Sequence, residues 1–350
     1  MKQIYILLVT ICAIAFTACS KDDDSSEDGK EGVITLVHRT DYSASSPVRI
    51  QIGAFNKGDI ITIDWGDGNV ENANLETMCD NIFSTYGIGH RYPNSNPYII
   101  TIKGKIRGFW CYTKHITSLD VSGCPALTSL RCYGNNLTSL EVSKNTALTS
   151  LDCEYNTLTS LDVSKNTALT KLSCGNNSLT SLDVSKNTAL TSLDCGNNSL
   201  TSLDISKNTA LTKLSCGNNS LTSLDVSKNT ALTSLDCGNN SLTSLDISKN
   251  TALTKLSCGN NSLTSLDVSK NTALTSLDCG NNSLTSLDIS KNTALTYLRC
   301  GNNNLSASAL NKIFNDLPIN DGNIYFNDNP GTDTCDKRIL DYKRWECNCR

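Results

Sequence analysis

Apolar residues return through residues 106–305 in pairs two apart, such as Leu193 with Cys195 and Leu203 with Ile205. That spacing puts both members of a pair on one face of an extended strand. An Asn follows three residues after each pair, at Asn198 and Asn208. Asn tolerates turn conformations and bonds local backbone, so a corner is expected there. LTSLDCGNNS and LTSLDISKNTA both read Leu-x-x-Leu-x-apolar-x-x-Asn, so segments of 10 and 11 residues join into a unit of 21. Each unit reads as one coil with two short strands and two corners. One coil cannot bury its leucines alone, whereas stacked coils can. Helical spacing is not sustained anywhere in the array.

Longer periods lie above this one. Cys111, Cys132, Cys153, Cys174, Cys195, Cys216, Cys237, Cys258, Cys279 and Cys300 are spaced by 21, and residues 172–212 recur unchanged at 214–254 and 256–296, a period of 42. The run Leu190-x-x-Leu193-x-Cys195-x-x-Asn198-x-Leu200 resembles the leucine-rich repeat signature in its Cys variant. Leu203-Asp204-Ile205-Ser206-Lys207-Asn208 repeats the signature within the coil. The array is similar to the short, nested leucine-rich repeat class of bacterial surface and secreted proteins. The resemblance implies a mainly β fold: a leucine-rich repeat β-solenoid of about ten coils over 105–305. A 21-residue unit leaves no room for a helix on the outer side, so a flat, prism-like stack is expected.

The flanks read differently. MKQIYILLVTICAIAFTAC has a basic start, an apolar run and small residues before Cys19, as a secretory signal does. Phe16-Thr17-Ala18-Cys19 resembles a lipobox, which implies a signal peptide over 1–18 and a lipid on Cys19. An ordinary signal peptide with an incidental Cys is the alternative. Residues 20–32 carry six acids against two bases, a charge of −4 that equals the formal charge of the whole chain. With Cys19, this acidic tether over 19–32 resembles the surface-export signal of Bacteroidetes lipoproteins, and a solvated linker is a compatible reading. The expected location is therefore the outer membrane, exposed at the cell surface and held by the lipid alone.

Alternating strands in VITLV, VRIQIGAF, DIITIDW and YIITIKG fill 33–104. Asp64-Trp65-Gly66-Asp67-Gly68, followed by His90-Arg91-Tyr92 and Pro97-Tyr98-Ile99-Ile100, resembles a PKD-like β-sandwich. Asp67-Gly68 suits a hairpin turn. A turn role for Asp67 is favoured over calcium binding, and packing for His90 over catalysis. At the other end, Leu305, Ala309, Leu310, Ile313, Phe314 and Leu317 follow a helical period that Pro318 ends. Residues 306–350 are read as an α/β cap over the last coil.

The chain has 17 cysteines, which in a secreted protein suggests disulfides. The ten ladder cysteines instead occupy one inward position, where Cys acts as a small hydrophobe. A buried free-thiol ladder is the expectation. Disulfides between neighbouring coils stand as an alternative, because strands ~4.8 Å apart bring the backbones within range. Metal would need convergent ligands, and none converge. Cys335, Cys347 and Cys349 lie outside the ladder, and a bridge from Cys335 to either partner is a second open possibility.

Charge explains the 42-residue period. On the first sheet Lys171, Asp194, Lys213, Asp236, Lys255 and Asp278 alternate, so that each Lys lies diagonal to an Asp. Such pairs contribute roughly 0.2–1 kcal/mol each, and this face is the candidate binding face. On the second, Asp183, Asp204, Asp225, Asp246, Asp267 and Asp288 form an unbroken acidic row. Neighbours ~4.8 Å apart in water repel by about 0.9 kcal/mol before screening. The row is the candidate weak cation ladder; no metal is assigned to it.

Enzyme function is not indicated, and no cofactor is implied. His38, His90 and His115 all lie outside the identical repeats, and no catalytic constellation, phosphate loop or zinc signature stands out. Balanced charge in the array argues against nucleic acid. The expected function is a non-catalytic surface binding or adhesion lipoprotein with an unidentified protein or glycan partner. A passive spacer is the alternative, and an accessory subunit of a hydrolase system a third reading. For a binding protein the end coils and caps must carry specificity, since identical coils cannot build a unique pocket.

Overall fold

The computed structural model describes residues 30–39, 47–56, 58–75, 88–94, 96–111 and 115–347. The signal segment, Cys19, most of the acidic tether and Cys349 lie outside the described residues.

The N-terminal segment supplies β1 (Gly32–His38), β2 (Val48–Ala54), β3 (Asp59–Asp64), β4 (Val70–Leu75), β5 (Ile88–His90) and β6 (Tyr98–Gly104). β7 (Ile106–Cys111) and β8 (Ile116–Asp120) follow. β4, β3, β6, β1 and β8 pair in that order into an antiparallel sheet. β5 and β2 add antiparallel to β7, which starts the parallel stack. The N-terminal strands thus extend both faces of the first coil and cover its open end. Alternation in the sequence is what permits this: Ile34, Leu36, Ile61, Ile63, Ile100 and Ile102 are buried at alternate positions, with Trp65 among them. The hairpin between β3 and β4 needs glycine, because Gly66 has φ 77° and a Cβ there would meet the Ile99 carbonyl at 2.3 Å.

Nine three-residue strands then stack in parallel. They are β9 (Ser129–Arg131), β10 (Ser150–Asp152), β11 (Lys171–Ser173), β12 (Ser192–Asp194), β13 (Lys213–Ser215), β14 (Ser234–Asp236), β15 (Lys255–Ser257), β16 (Ser276–Asp278) and β17 (Tyr297–Arg299). Each pairs in register with the next. The solenoid has about eleven turns of about 21 residues. Every central Leu is buried, as is every ladder Cys, and each of these thiols is free. Burial pushes the Cys195 and Cys237 thiols up to about 12. They therefore stay protonated and inert, since the thiolate is the reactive form.

The second half of each coil departs from expectation. Leu203 and Ile205 are buried on one face as the spacing requires. Yet the segment is not a strand, and the expected second sheet ends with β8 and one bridge between Asp120 and Glu141. Local bonds cause this. Asp204 accepts from the Ser206 amide (2.9 Å), the Asn208 amide bonds the Ile205 carbonyl (3.0 Å), and the Leu211 amide bonds the Asn208 carbonyl (3.1 Å). Consecutive turns leave no run of backbone groups to pair with the next coil.

Asparagines join the coils instead. Asn198 donates to the carbonyls of Cys195, Gly196 and, one coil earlier, Cys174, while its own oxygen accepts from Leu179. At the other corner Asn208 donates to Val184 and Asn187 of the preceding coil, and its Oδ1 accepts no protein bond.

The far end closes with α1 (Ala307–Asp316), β18 (Gly322–Tyr325), α2 (Arg338–Lys343) and β19 (Trp345–Cys347). α1 is the expected helix. Ser306 caps it, accepting from Ala309, and Leu310, Ile313 and Phe314 are buried. β18 and β19 continue the parallel sheet. The possible bridge from Cys335 is not formed: Cys335 is a free thiol, and Cys347 is disulfide-bonded elsewhere.

Two predictions follow from the stacking. Deleting residues 214–255 removes two coils and rejoins equivalent positions, so the protein should fold with a similar melting temperature and a solenoid shorter by roughly 10 Å. Scattering and thermal melts check this; aggregation or loss of β signal would contradict it. Cys195, Cys216 and Cys237 should resist alkylation in the native protein and react only on unfolding, as mass spectrometry after timed labelling would read.

Candidate binding face

The outward side chains of the stacked strands make two rows. Register sets Lys171 beside Ser192 and Ser173 beside Asp194, then Ser192 beside Lys213 and Asp194 beside Ser215. The alternation repeats through Lys255 and Asp278. Each Lys is therefore diagonal to an Asp, as the sequence pattern requires. Lys171, Lys213 and Lys255 are exposed; Asp194, Asp236 and Asp278 are half-buried. One oxygen of each Asp accepts from the glycine amide two residues on, at 3.0, 3.1 and 3.0 Å. Among the described residues these lysines form no ion pair, whereas Asp278 is held by Arg299 at 3.3 Å.

The acidic row lies on the non-strand side. Asp183, Asp204, Asp225, Asp246, Asp267 and Asp288 are exposed, and each accepts from the serine amide two residues on. That backbone bond comes first among the causes holding the Asp204 carboxyl below the usual range, with repulsion from Asp183 a smaller opposing effect. The row is thus a line of turn-forming carboxylates with one oxygen left to solvent and counterions. Among the described residues no three His, Cys, Asp or Glu side chains gather as a metal set.

The face changes character at its ends. From Cys174 onward the residue after each ladder Cys is glycine, and the next is Asn with φ near 54°, as at Asn176. A Cβ on Gly175, Gly196 or Gly217 would lie 3.0–3.2 Å from the next coil's glycine carbonyl. The first two full coils ignore both rules. Tyr133 and Glu154 stand at the glycine position, and Tyr155 stands at the Asn position with φ 52°. An aromatic residue in the left-handed region is strained by about 1–3 kcal/mol. Tyr133 and Tyr155 are exposed and touch, with ring centroids 5.0 Å apart. Burial, then Asp194 and Asp152, push the Glu154 carboxyl up to about 7. Burial also raises Asp152, with the bond from the Glu154 amide and then Arg131 opposing. At the far end the Tyr297 and Tyr325 rings lie 5.6 Å apart, tilted by 45°, with Arg299 beside Tyr325 in the register.

The histidines do structural work. His90 lies 2.6 Å from Asp67 and stacks on Trp65, while Tyr92 donates to the Trp65 carbonyl. Asp67 also accepts from Asn69, which is the expected turn role. His38 is buried, and its basicity falls to about 4 through burial and then nearby His115.

The family model described as leucine rich repeats (2 copies) matches residues 167–208, 209–250 and 251–292. The array is a leucine-rich repeat solenoid. The functional domain of InlJ from Listeria monocytogenes, described as including a cysteine ladder, is 43% identical with a TM-score of 0.58. That match covers 63% of this chain and 48% of the other, so the chain spans about half the length of that protein. An internalin, inlF, from the same species is 20% identical over 69% of this chain and 86% of its own, with a TM-score of 0.50. The plant peptide hormone receptor RGFR1, solved with RGF2, is 23% identical over 60% and 37%, with a TM-score of 0.51. These last two likenesses show the fold alone. No curated protein matches significantly.

Sequence reasoning singled out the repeated charges of the leucine-rich repeat solenoid and passed over Arg131, Tyr133, Asp152, Glu154 and Tyr155. Their departure from the array's own consensus was the signal that could have found them.

The strain at these coils is measurable. Tyr155→Asn installs the residue the other coils use and should stabilise the protein by about 1 kcal/mol. Glu154 binds more protons folded than unfolded between 4.5 and about 7, so its stability contribution falls as pH rises through that window. Glu154→Gln should therefore raise the melting temperature at pH 8 and leave it nearly unchanged at pH 4.

Proposed function

We propose that this chain is a non-catalytic binding protein of the cell surface, held by a lipid on Cys19, that presents its strand face to a protein or glycan partner. The observation that carries this reading is the face itself. It is a long, narrow, regular sheet whose Lys171, Lys213 and Lys255 form no ion pair among the described residues and whose chemistry becomes unique only at its two ends. A shape of this kind grips an extended partner along many coils and reads it at the ends. The signal-like start and the resemblance of residues 16–19 to a lipobox support the surface location. The N-terminal strands serve as a sandwich of PKD-like character that carries the solenoid away from the membrane.

The test is a screen of the full chain against host glycan and protein arrays. A defined ligand should be retained, and Lys171→Glu with Lys213→Glu and Lys255→Glu should weaken it by at least tenfold. Absence of any ligand, with function surviving the 214–255 deletion unchanged, would establish the spacer instead. Cys19→Ser should release the protein from the membrane fraction.

A further inference from the structure

We propose that Tyr133 and Tyr155, flanked by Glu154 and Asp152, form a docking patch for a lysine- or arginine-bearing segment of a partner polypeptide. This rests on the reading of the chain as a binding protein and names the chemistry that one end of its face takes.

The aromatic surface comes first. Tyr133 is 41% and Tyr155 50% exposed, and their planes meet at 59°, so the pair offers ring faces to solvent at two angles. Aromatic faces attract ammonium and guanidinium groups placed over them. These rings stand where every later coil keeps glycine or Asn. Nothing in the array's own packing calls for them there, since the later coils stack without them.

Charge then selects the occupant. The charge of Asp194 acts on both Asp152 and Glu154, and that of Asp152 on Glu154, beside Tyr155. Arg131 offsets only Asp152 among them, and exposed Lys171 lies in the other row. Three acids therefore share one close base, Arg131, and their repulsion is only partly relieved. A cation placed between the rings and Glu154 relieves it, whereas a neutral sugar stacked on the rings does not. The chain's own acidic tether and nucleic acid both carry the wrong sign. With Glu154 titrating near 7, cation binding favours its ionised form and releases a proton, so affinity should rise between pH 6 and pH 8.

The consensus variant supplies a test in a protein that folds. Tyr133→Gly, Glu154→Gly and Tyr155→Asn together install residues the array already uses at these positions. Binding of an acetylated, amidated hexalysine peptide to the full chain is measured by calorimetry at fixed ionic strength, with thermal melts run in parallel. The parent should bind, the triple variant should lose at least tenfold in affinity while melting no lower, and Asp236→Asn with Asp278→Asn should match the parent. No binding by the parent, equal binding by the triple variant, or equal loss in the Asp236/Asp278 control overturns the proposal. So does a neutral hexasaccharide that binds the parent through the tyrosines while hexalysine does not. A ligand captured on the arrays without hexalysine binding would sink this patch and leave the general binding reading standing.

Discussion

The solenoid depends on a half-buried amide that its own coil cannot satisfy. Asn198 makes bonds to Cys195 and Gly196 in its own coil but needs the Cys174 carbonyl and the Leu179 amide of the coil before. A buried polar group left unpaired costs about 1–3 kcal/mol. A coil one residue longer or shorter would misplace these partners at every level of the stack. The strict spacing of 21 is the consequence, and it holds from Cys111 to Cys300. The ladder Cys follows from the same constraint. Its carbonyl is an acceptor for the Asn three residues on, while its small side chain fills the interior beside the leucines.

The two corners solve the problem unequally. The first Asn is bonded at both ends of its amide, and its coil edge runs on from a true strand. The second Asn spends only its donors, leaving eight such oxygens, from Asn145 to Asn292, without a protein donor. The turns begun by the exposed aspartates have already used the local amides. The strand side is therefore the more regular surface, and the turn side a row of exposed carboxylates over Asn-linked corners.

Much of this was legible in the sequence. The period, the inward Leu and Cys positions, the strand register and the C-terminal helix all follow from side-chain spacing, because burial acts on that spacing directly. The second strand was misread because Leu203 and Ile205 have the same period-2 spacing as Leu193 and Cys195. What separates them is Asp204 bonding the Ser206 amide, a competition between side chain and backbone that hydrophobic pattern does not express. The unique end coils were missed for a different reason. Repetition draws attention to what is common, and Tyr133, Glu154 and Tyr155 are visible only as exceptions to a glycine and an Asn whose necessity needed the stacked geometry to appear.

Those exceptions carry the argument about function furthest. An array under pressure only to fold would extend its cheapest coil to both ends, and residues 172–296 show how cheap that coil is to copy. The first coils instead accept a Tyr in the left-handed region, side chains where the next coil's carbonyl crowds a Cβ, and a Glu154 carboxyl whose proton affinity burial and then Asp194 and Asp152 raise. Each feature lowers stability, and each projects to the same stretch of surface. Groups held against stability in one place mark the sites where a protein meets something outside itself. The long identical middle sets the number of coils between these residues and the tyrosines and arginine at the other end.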